Sequence, residues 1–215
     1  DGIVRYLKVP VDRIDLVPLA GTKVPGADRS LASTDGPMVL ATGNRRPHKN
    51  WASLIRALPL LEEADRPRVV ITGSHGEDPL REVVDETGMQ QWVELKRWVD
   101  DAEMRDLYSK ATILAMPSFA DGFSLPALEA MMAGVPVMIS DIPVYREVVG
   151  DAALLIDPHD LSSIAEGMRT AVHRPDLLAD LVARGKERAA LFSWERTAEG
   201  TLRSFELALA QGPRR

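Results

Sequence analysis

Short apolar runs alternate along the chain with longer segments in which apolar residues recur at helical spacing. The runs at 38–42 and 68–72 are mostly apolar, which is typical of strands buried on both faces of a parallel sheet. Segment 50–63 instead brings Trp51 and Leu54 onto one face of a helix. Strands that alternate with helices predict an α/β fold, a Rossmann-like parallel sheet with helices on both faces.

The same patterns predict the remaining elements and a linker. Residues 25–37 are rich in Gly, Pro, Ser and Asp and lack periodicity, so we interpret them as a linker that precedes one domain at 38–215. We expect further strands at 14–19, 92–95, 111–116 and 135–140, and a short strand or a turn at 153–156. Further helices are expected at 79–87, 102–109, 161–173, 175–191 and 194–209.

Composition and charge exclude several classes of protein. The 215 residues are 45% hydrophobic and 27% charged, as in ordinary soluble globular proteins. A net charge of −6 argues against nonspecific nucleic-acid binding, which needs a basic face. The absence of cysteine excludes disulfides and thiolate metal sites and fits a reducing cytoplasm. Because no apolar run is long enough for a membrane helix, we expect a cytoplasmic protein.

The most informative stretch, 116–137, predicts a strand end, a loop, a short helix and a second strand. Pro126 suits the first turn of a helix and Gly134 the position just past its end. The N–H groups before this helix would then form an anion site, because the helix dipole and the free donors both favour negative charge there. These groups belong to Phe123, Ser124 and Leu125.

Two acids lie on either side of this expected anion site. Asp121 precedes Gly122 in the loop, where glycine permits a sharp turn and leaves the backbone uncovered. Glu129 lies on the helix, within reach of a ligand at its N-terminus. A backbone cradle for phosphate between two carboxylates favours a nucleotide-sugar site over a generic one.

A basic loop follows the first strand of the predicted sheet. It runs from Gly43 and contains Arg45, Arg46 and Lys49. Cations at the start of a helix are disfavoured by its dipole, which indicates an anion between them. Taken alone, the loop is better interpreted as a solvated basic surface. It is not a P-loop, because no glycine precedes Lys49 and Asn50 replaces the Ser or Thr.

Two further turns lie at the carboxyl ends of predicted strands, the edge where ligands bind on such sheets. Gly73 begins a turn that either is simply tight or lets the backbone approach a ligand closely, and His75 beside it is interpreted as a loop histidine. After the third strand, Trp98 either stacks on a base or packs against the protein, and packing is the favoured interpretation.

The segment 121–129 resembles the paired-acid motif of retaining glycosyltransferases of the GT-B fold, in the large family 4 (glycosyl transferases group 1). Asp121 stands where that family usually has Glu, and Ser124 where it usually has Gly. The resemblance implies that Glu129 holds the ribose hydroxyls of a nucleotide sugar and that Asp121 holds the donor sugar. It covers nearly the whole chain.

The resemblance also implies roles for the other loops. Lys49 and Arg45 would hold the donor diphosphate, and the backbone near Val99 would contact the nucleotide base. With Asp121 and Glu129, these two cations make up the expected catalytic group. The other expected donor-binding residues are Gly43, Gly73, Gly122, Phe123, Ser124 and Leu125.

The function expected from this resemblance is that of the donor-binding domain, the C-terminal half of a GT-B fold. It would transfer a hexose from a nucleotide-diphospho-sugar to an acceptor hydroxyl with retention. Residues 1–24 would be a remnant of the N-terminal acceptor domain, which is missing, so we expect the isolated domain to be inactive. Any peripheral membrane contact would come through the absent half.

Neither a cofactor nor a metal is expected. No Asp-any-Asp triplet, which metal-dependent sugar transferases commonly use, occurs in the chain. Two alternatives to the transferase stay open. One is a sugar-nucleotide 2-epimerase, which shares the two-domain architecture, and the other is a noncatalytic nucleotide-sugar-binding module.

Overall fold

A computed structural model of the chain describes residues 2–22 and 36–211. Its centre is a sheet of six strands in the order β3-β2-β1-β4-β5-β6, in which every neighbouring pair is parallel. The strands are β1 Met38–Thr42, β2 Arg68–Ser74, β3 Val93–Arg97, β4 Ile113–Met116, β5 Val137–Ser140 and β6 Leu154–Ile156.

Helices connect successive strands of this sheet. Among the described residues, α2 to α7 lie in or after the crossovers, as the alternating pattern predicted. The predicted fold class, a Rossmann-like α/β sheet, is confirmed. The α-helices are α1 Gly2–Leu7, α2 Trp51–Ala57, α3 Leu80–Thr87, α4 Asp101–Lys110, α5 Leu125–Met132, α6 Pro143–Val149, α7 Leu161–His173, α8 Pro175–Ala189 and α9 Trp194–Gln211.

The chain divides into two compact units. Residues 21–22 and 36–191 form the unit that contains the sheet, and residues 2–20 and 192–211 form the other. The sequence had assigned α9 to the sheet domain, whereas its contacts are with the first twenty residues: Thr197 Oγ1 donates to the carbonyl of Pro18 at 2.7 Å. The interpretation of residues 1–24 as an acceptor-domain remnant stays a prediction, and most of the proposed linker lies outside the described residues.

Three local predictions differ from the structure. The stretch 14–19 is not a strand: a 3₁₀ turn at Val11–Arg13 precedes it, and none of the six described strands pairs with it. The helix expected at 50–63 ends at Ala57 and continues as the 3₁₀ turn Leu58–Leu60, which contains a proline. Finally, α6 was not predicted as a helix.

The strand order reverses between β1 and β4, and this reversal positions the site. The two strands are neighbours in the sheet, but their following helices leave in opposite directions from the switch point. Every residue of β1 and β4 is buried. The loops that follow them, 43–50 and 117–124, are therefore held side by side by a rigid core.

The carboxyl ends of β1 and β2 are in direct backbone contact through two glycines. Gly43 has φ of 141° and Gly73 has φ of 93°, both in the region that favours glycine. A Cβ atom built on Gly73 would lie 2.5 Å from the carbonyl oxygen of Gly43. The edge of the sheet can close here only because Gly73 has no side chain.

We therefore expect Gly73→Ala to be severely destabilising, by roughly 2–4 kcal/mol, because backbone strain and a backbone clash add. Gly88→Ala is the matched control, since Gly88 also has a positive φ of 69° but its Cβ would meet nothing within 4 Å. It should cost only about 1–2 kcal/mol. Urea unfolding of both variants measures the difference, and equal losses would contradict the clash.

Candidate functional site

Two loops at the switch point are joined by hydrogen bonds. The backbone N–H of Phe119 donates to the carbonyl of His48 at 2.8 Å. The buried side chain of Asn50 donates to the carbonyl of Pro117 at 3.0 Å and to that of Pro158 at 2.9 Å. The basic loop after β1 and the acidic loop after β4 thus form one surface at the carboxyl edge of the sheet.

Lys49 and Asp121 form an ion pair across these two loops. Lys49 Nζ lies 2.7 Å from Asp121 Oδ2, and the two side chains are 14% and 19% exposed. The hydroxyl of Tyr145 donates to the same oxygen at 2.7 Å, and the N–H of Gly122 donates to Oδ1 at 2.8 Å. The structure therefore brings together the basic loop and the first acid of the predicted pair.

This arrangement keeps Asp121 ionised. Burial alone would raise the pKa of its carboxyl group, but the hydrogen bonds from Lys49 and Tyr145 outweigh it, so the pKa lies below its ordinary value. A carboxylate with these partners is a fixed negative charge across the physiological pH range. Its role is to accept hydrogen bonds, and it is not a proton donor.

Tyr145 is a site residue that the sequence reasoning missed. It lies on α6, is fully buried, and its pKa is raised by burial and by the charge of Asp121 beside it. The stretch 140–147 had been interpreted as a loop before the next helix. Pro143, at the start of α6, is the helix-start signal that could have revealed it.

The short helix α5 begins beside this ion pair. Ser124 occupies its N-cap position with φ of 98°, and its side chain makes no capping hydrogen bond. Pro126 lies in the first turn, where its missing N–H leaves no donor unpaired. The predicted positions of Ser124, Leu125 and Pro126 at the start of the helix are confirmed. The phosphate contact predicted for Phe123, Ser124 and Leu125 stays a prediction.

Glu129, the second acid, lies in the second turn of α5. Burial raises the pKa of its carboxyl group, and a hydrogen bond from the backbone N–H of Thr22 opposes that rise. Burial and then the charge of Glu129 raise the pKa of Tyr108, and a hydrogen bond with Thr42, the last residue of β1, opposes that rise. Glu129 therefore acts electrostatically on a tyrosine that contacts the end of β1.

Arg45 occupies a different place from the one expected. Its guanidinium forms a buried ion pair with Asp78 at 2.8 Å and donates to the carbonyl oxygens of Gly43, Thr72 and Ile71. A guanidinium has five N–H donors, and these bonds engage all of them. In this arrangement Arg45 ties the ends of β1 and β2 together and has no donor left for a phosphate.

The turns after β2 and β3 form the far side of the edge. Val99 has a buried side chain, so that only its backbone could meet a ligand there. Trp98 was expected to pack, but its ring is 73% exposed and stacks on His75 at a centroid distance of 5.7 Å. The preference for packing at Trp98 was therefore wrong.

The described residues contain neither a metal-ligand cluster nor a membrane-spanning helix. No three His, Asp or Glu side chains between 2 and 211, residues 23–35 aside, come together as metal ligands would. Within the same part of the chain no helix has the length and apolar character needed to cross a bilayer.

A Rossmann-like sheet of this order is the architecture of one half of a GT-B glycosyltransferase, and solved structures agree. Sucrose-phosphate synthase from Thermosynechococcus elongatus superposes with a TM-score of 0.82 at 24% identity, over 98% of this chain and 56% of that one. WaaG, a glycosyltransferase of lipopolysaccharide biosynthesis, gives 0.76 at 17% identity, over 94% and 58%. At such identities the likeness establishes the fold.

The sequence establishes the family. Residues 27–188 match the family model for glycosyl transferases group 1, and the chain belongs to that family. It is 32% identical over 219 residues to O-antigen chain mannosyltransferase B of Escherichia coli, covering 95% of this chain and 57% of that protein. It is 30% identical to D-inositol 3-phosphate glycosyltransferase of Nocardia farcinica, covering 92% and 48%. The chain thus spans about half the length of these curated relatives.

The ion pair at the switch point predicts a pH-dependent contribution to stability. Asp121→Asn should lower the free energy of unfolding by roughly 1–3 kcal/mol at pH 7, because it leaves Lys49 without its partner. The pKa of Asp121 is lower in the folded chain, so this stabilisation is present above about pH 4 and is lost as the pH falls through the folded value. Urea unfolding at decreasing pH should show that the difference in the free energy of unfolding between variant and parent becomes smaller.

Asp106→Asn is the control for that measurement, since Asp106 pairs with Lys110 on the exposed surface and should contribute less than about 1 kcal/mol. If the stability lost in Asp121→Asn stayed constant down to pH 2, this would contradict the lowered pKa of Asp121.

Proposed function

We propose that this chain is the donor-binding part of a retaining glycosyltransferase that transfers a hexose from a nucleotide-diphospho-sugar to an acceptor hydroxyl. One observation carries the proposal: the Lys49–Asp121 ion pair joins the two switch-point loops directly beside the N-terminus of α5. Membership of the glycosyl transferase group 1 family supports the transfer chemistry. A relative named as a mannosyltransferase supports a hexose as the transferred group.

The diphosphate would lie between Lys49 and the start of α5. An ammonium group has three N–H donors, and Asp121 occupies one of them, which leaves donors for phosphate oxygens. The helix N-terminus adds partial positive charge and N–H groups at Ser124 and Leu125. Positive charge fixed where the diphosphate departs is the largest catalytic contribution that this half of a transferase makes.

The two acids would hold the two sugars of the donor. A carboxylate has about four acceptor positions, and Asp121 uses three of them internally, so Oδ1 retains one for a hydroxyl of the transferred hexose. Glu129, on α5, would accept from the ribose hydroxyls. Neither role needs a cofactor or a metal, and we propose a metal-independent reaction.

Arg45 receives a supporting role in this proposal. Because its donors are engaged by Asp78 and by the carbonyl oxygens of Gly43, Ile71 and Thr72, it holds the Gly43–Gly73 contact closed. Lys49 is then the cation that faces the diphosphate. Gly73 and Val99 were also expected at the site, and they would contribute through their backbone.

Solved relatives of the same fold support the nucleotide. Anabaena HepE superposes with a TM-score of 0.73 at 17% identity, over 87% of this chain and 56% of that one, and its crystal holds UDP. Since this chain spans about half of its relatives, the acceptor would be bound by the other half. We propose accordingly that residues 1–215 bind nucleotide but do not complete a transfer.

Nucleotide binding is the direct test. Calorimetric titration with UDP, GDP and ADP, in the presence of a chelator, should show one of them binding to the chain. Glu129→Ala should weaken that binding at least tenfold, since a hydrogen bond to a charged group contributes about 1.5–3 kcal/mol. Glu187→Ala, an exposed glutamate on α8, is the control and should bind like the parent. No binding of any of the three would contradict the donor site.

Turnover distinguishes the transferase from the alternatives. Incubation of residues 1–215 with the hexose derivative of the nucleotide that binds, with and without a simple alcohol as acceptor, should leave the donor unchanged by NMR. Sustained transfer to the alcohol would show that this half is sufficient alone. Epimerised donor in the absence of acceptor would favour the 2-epimerase instead.

A further inference from the structure

Residues 21–22 touch α5, the helix that carries Glu129. Gly21 is buried, and a Cβ atom built on it would lie 2.9 Å from Cβ of Leu128 and 3.2 Å from the backbone nitrogen of Glu129. Real Cβ atoms do not approach a neighbour so closely, so glycine is required for the contact. Because the φ of Gly21 is not positive, glycine is required here for lack of space and not for its backbone conformation.

The next residue, Thr22, reaches the carboxylate itself. Its backbone N–H donates to the Glu129 side chain, while its own side chain is exposed. Among the described residues, Glu129 also interacts electrostatically with Tyr108 of α4, which in turn hydrogen bonds with Thr42 at the end of β1. Because burial disfavours the ionised form of Glu129 and Tyr108 is neutral, the Thr22 N–H is the contact that favours the charged carboxylate.

We propose that Gly21 and Thr22 are positioning residues, which hold the Glu129 carboxylate charged and oriented for the ribose hydroxyls of the donor. Gly21 allows the segment to lie against α5, and this places the Thr22 N–H at the carboxylate. The inference rests on the proposed function for the ribose contact. The effect on Glu129 itself does not depend on it.

The test removes the N–H without touching Glu129. Thr22→Pro has no backbone N–H, whereas Thr22→Ala keeps it, so the comparison between these two variants isolates the donor. In the chain without nucleotide, carbon-detected NMR titration of the Glu129 carboxyl group should give a higher pKa in Thr22→Pro than in Thr22→Ala. An equal pKa in both variants would overturn the proposal.

Nucleotide affinity supplies the second measurement. With the nucleoside diphosphate that binds, Thr22→Pro should bind about tenfold more weakly than Thr22→Ala, and its affinity should fall off at a higher pH on acidification. With the 2′,3′-dideoxy analogue, which lacks the ribose hydroxyls, the two variants should bind equally. A loss of the same size for both ligands would indicate a merely structural role and overturn the proposal.

Gly21→Ala provides an independent variant, checked for folding by circular dichroism. Its added methyl group would displace the segment from Leu128, so it should reproduce both the raised pKa and the ribose-specific loss. If Thr22→Pro does not fold, the decision rests on Gly21→Ala compared with the parent chain. If the parent binds no nucleotide, the proposed function fails, and the NMR titration still decides whether the segment holds Glu129 charged.

Discussion

The ion pair between Lys49 and Asp121 is the interaction on which the site depends. A parallel sheet with a switch point brings two loops together but does not determine what they present. Here each loop contributes one charge, and each charge is partly buried, so neither is stable without the other. The pair therefore fixes the separation of the loops, and Tyr145 fixes the orientation of the carboxylate from the neighbouring helix.

A second buried ion pair, between Arg45 and Asp78, supports the edge of the sheet beside the first. Arg45 and Asp78 are almost wholly buried, and the guanidinium also satisfies carbonyl oxygens at the ends of two strands. Those carbonyls lie where the glycines of β1 and β2 meet. The edge of the sheet is thus braced by Arg45, whereas Lys49 pairs with Asp121 across the two loops.

Much of the fold follows from the sequence because its apolar runs are unambiguous. The strands β1, β2, β4 and β5 are short, buried apart from Arg68 at the start of β2, and bounded by Gly, Pro or polar residues. Such runs can be identified as strands from the pattern alone. The stretch 14–19 has a similar composition, but it has no partner strand in the described sheet. Pairing is a tertiary property that a local pattern does not contain.

The site was predictable in part for a related reason. Asp121, Glu129 and Lys49 lie in loops and helix starts whose spacing is local, so motif and position indicate them. The direction of a side chain is not local: Arg45 faces Asp78, thirty-three residues away, and Tyr145 reaches Asp121 from a helix twenty-four residues on. Thr22 acts through its N–H, which every residue but proline carries, so its type holds no signal.

The contact of Gly21 and Thr22 with α5 has a consequence beyond the site. Thermodynamic linkage is reciprocal: if the place of this segment changes the affinity for a ligand at Glu129, the ligand changes the preference of the segment for that place by an equal free energy. Any interaction elsewhere in the polypeptide that displaces residues 21–22 would then change the affinity for the bound ligand. Conversely, binding of a ligand at Glu129 would change how strongly residues 21–22 are held against α5.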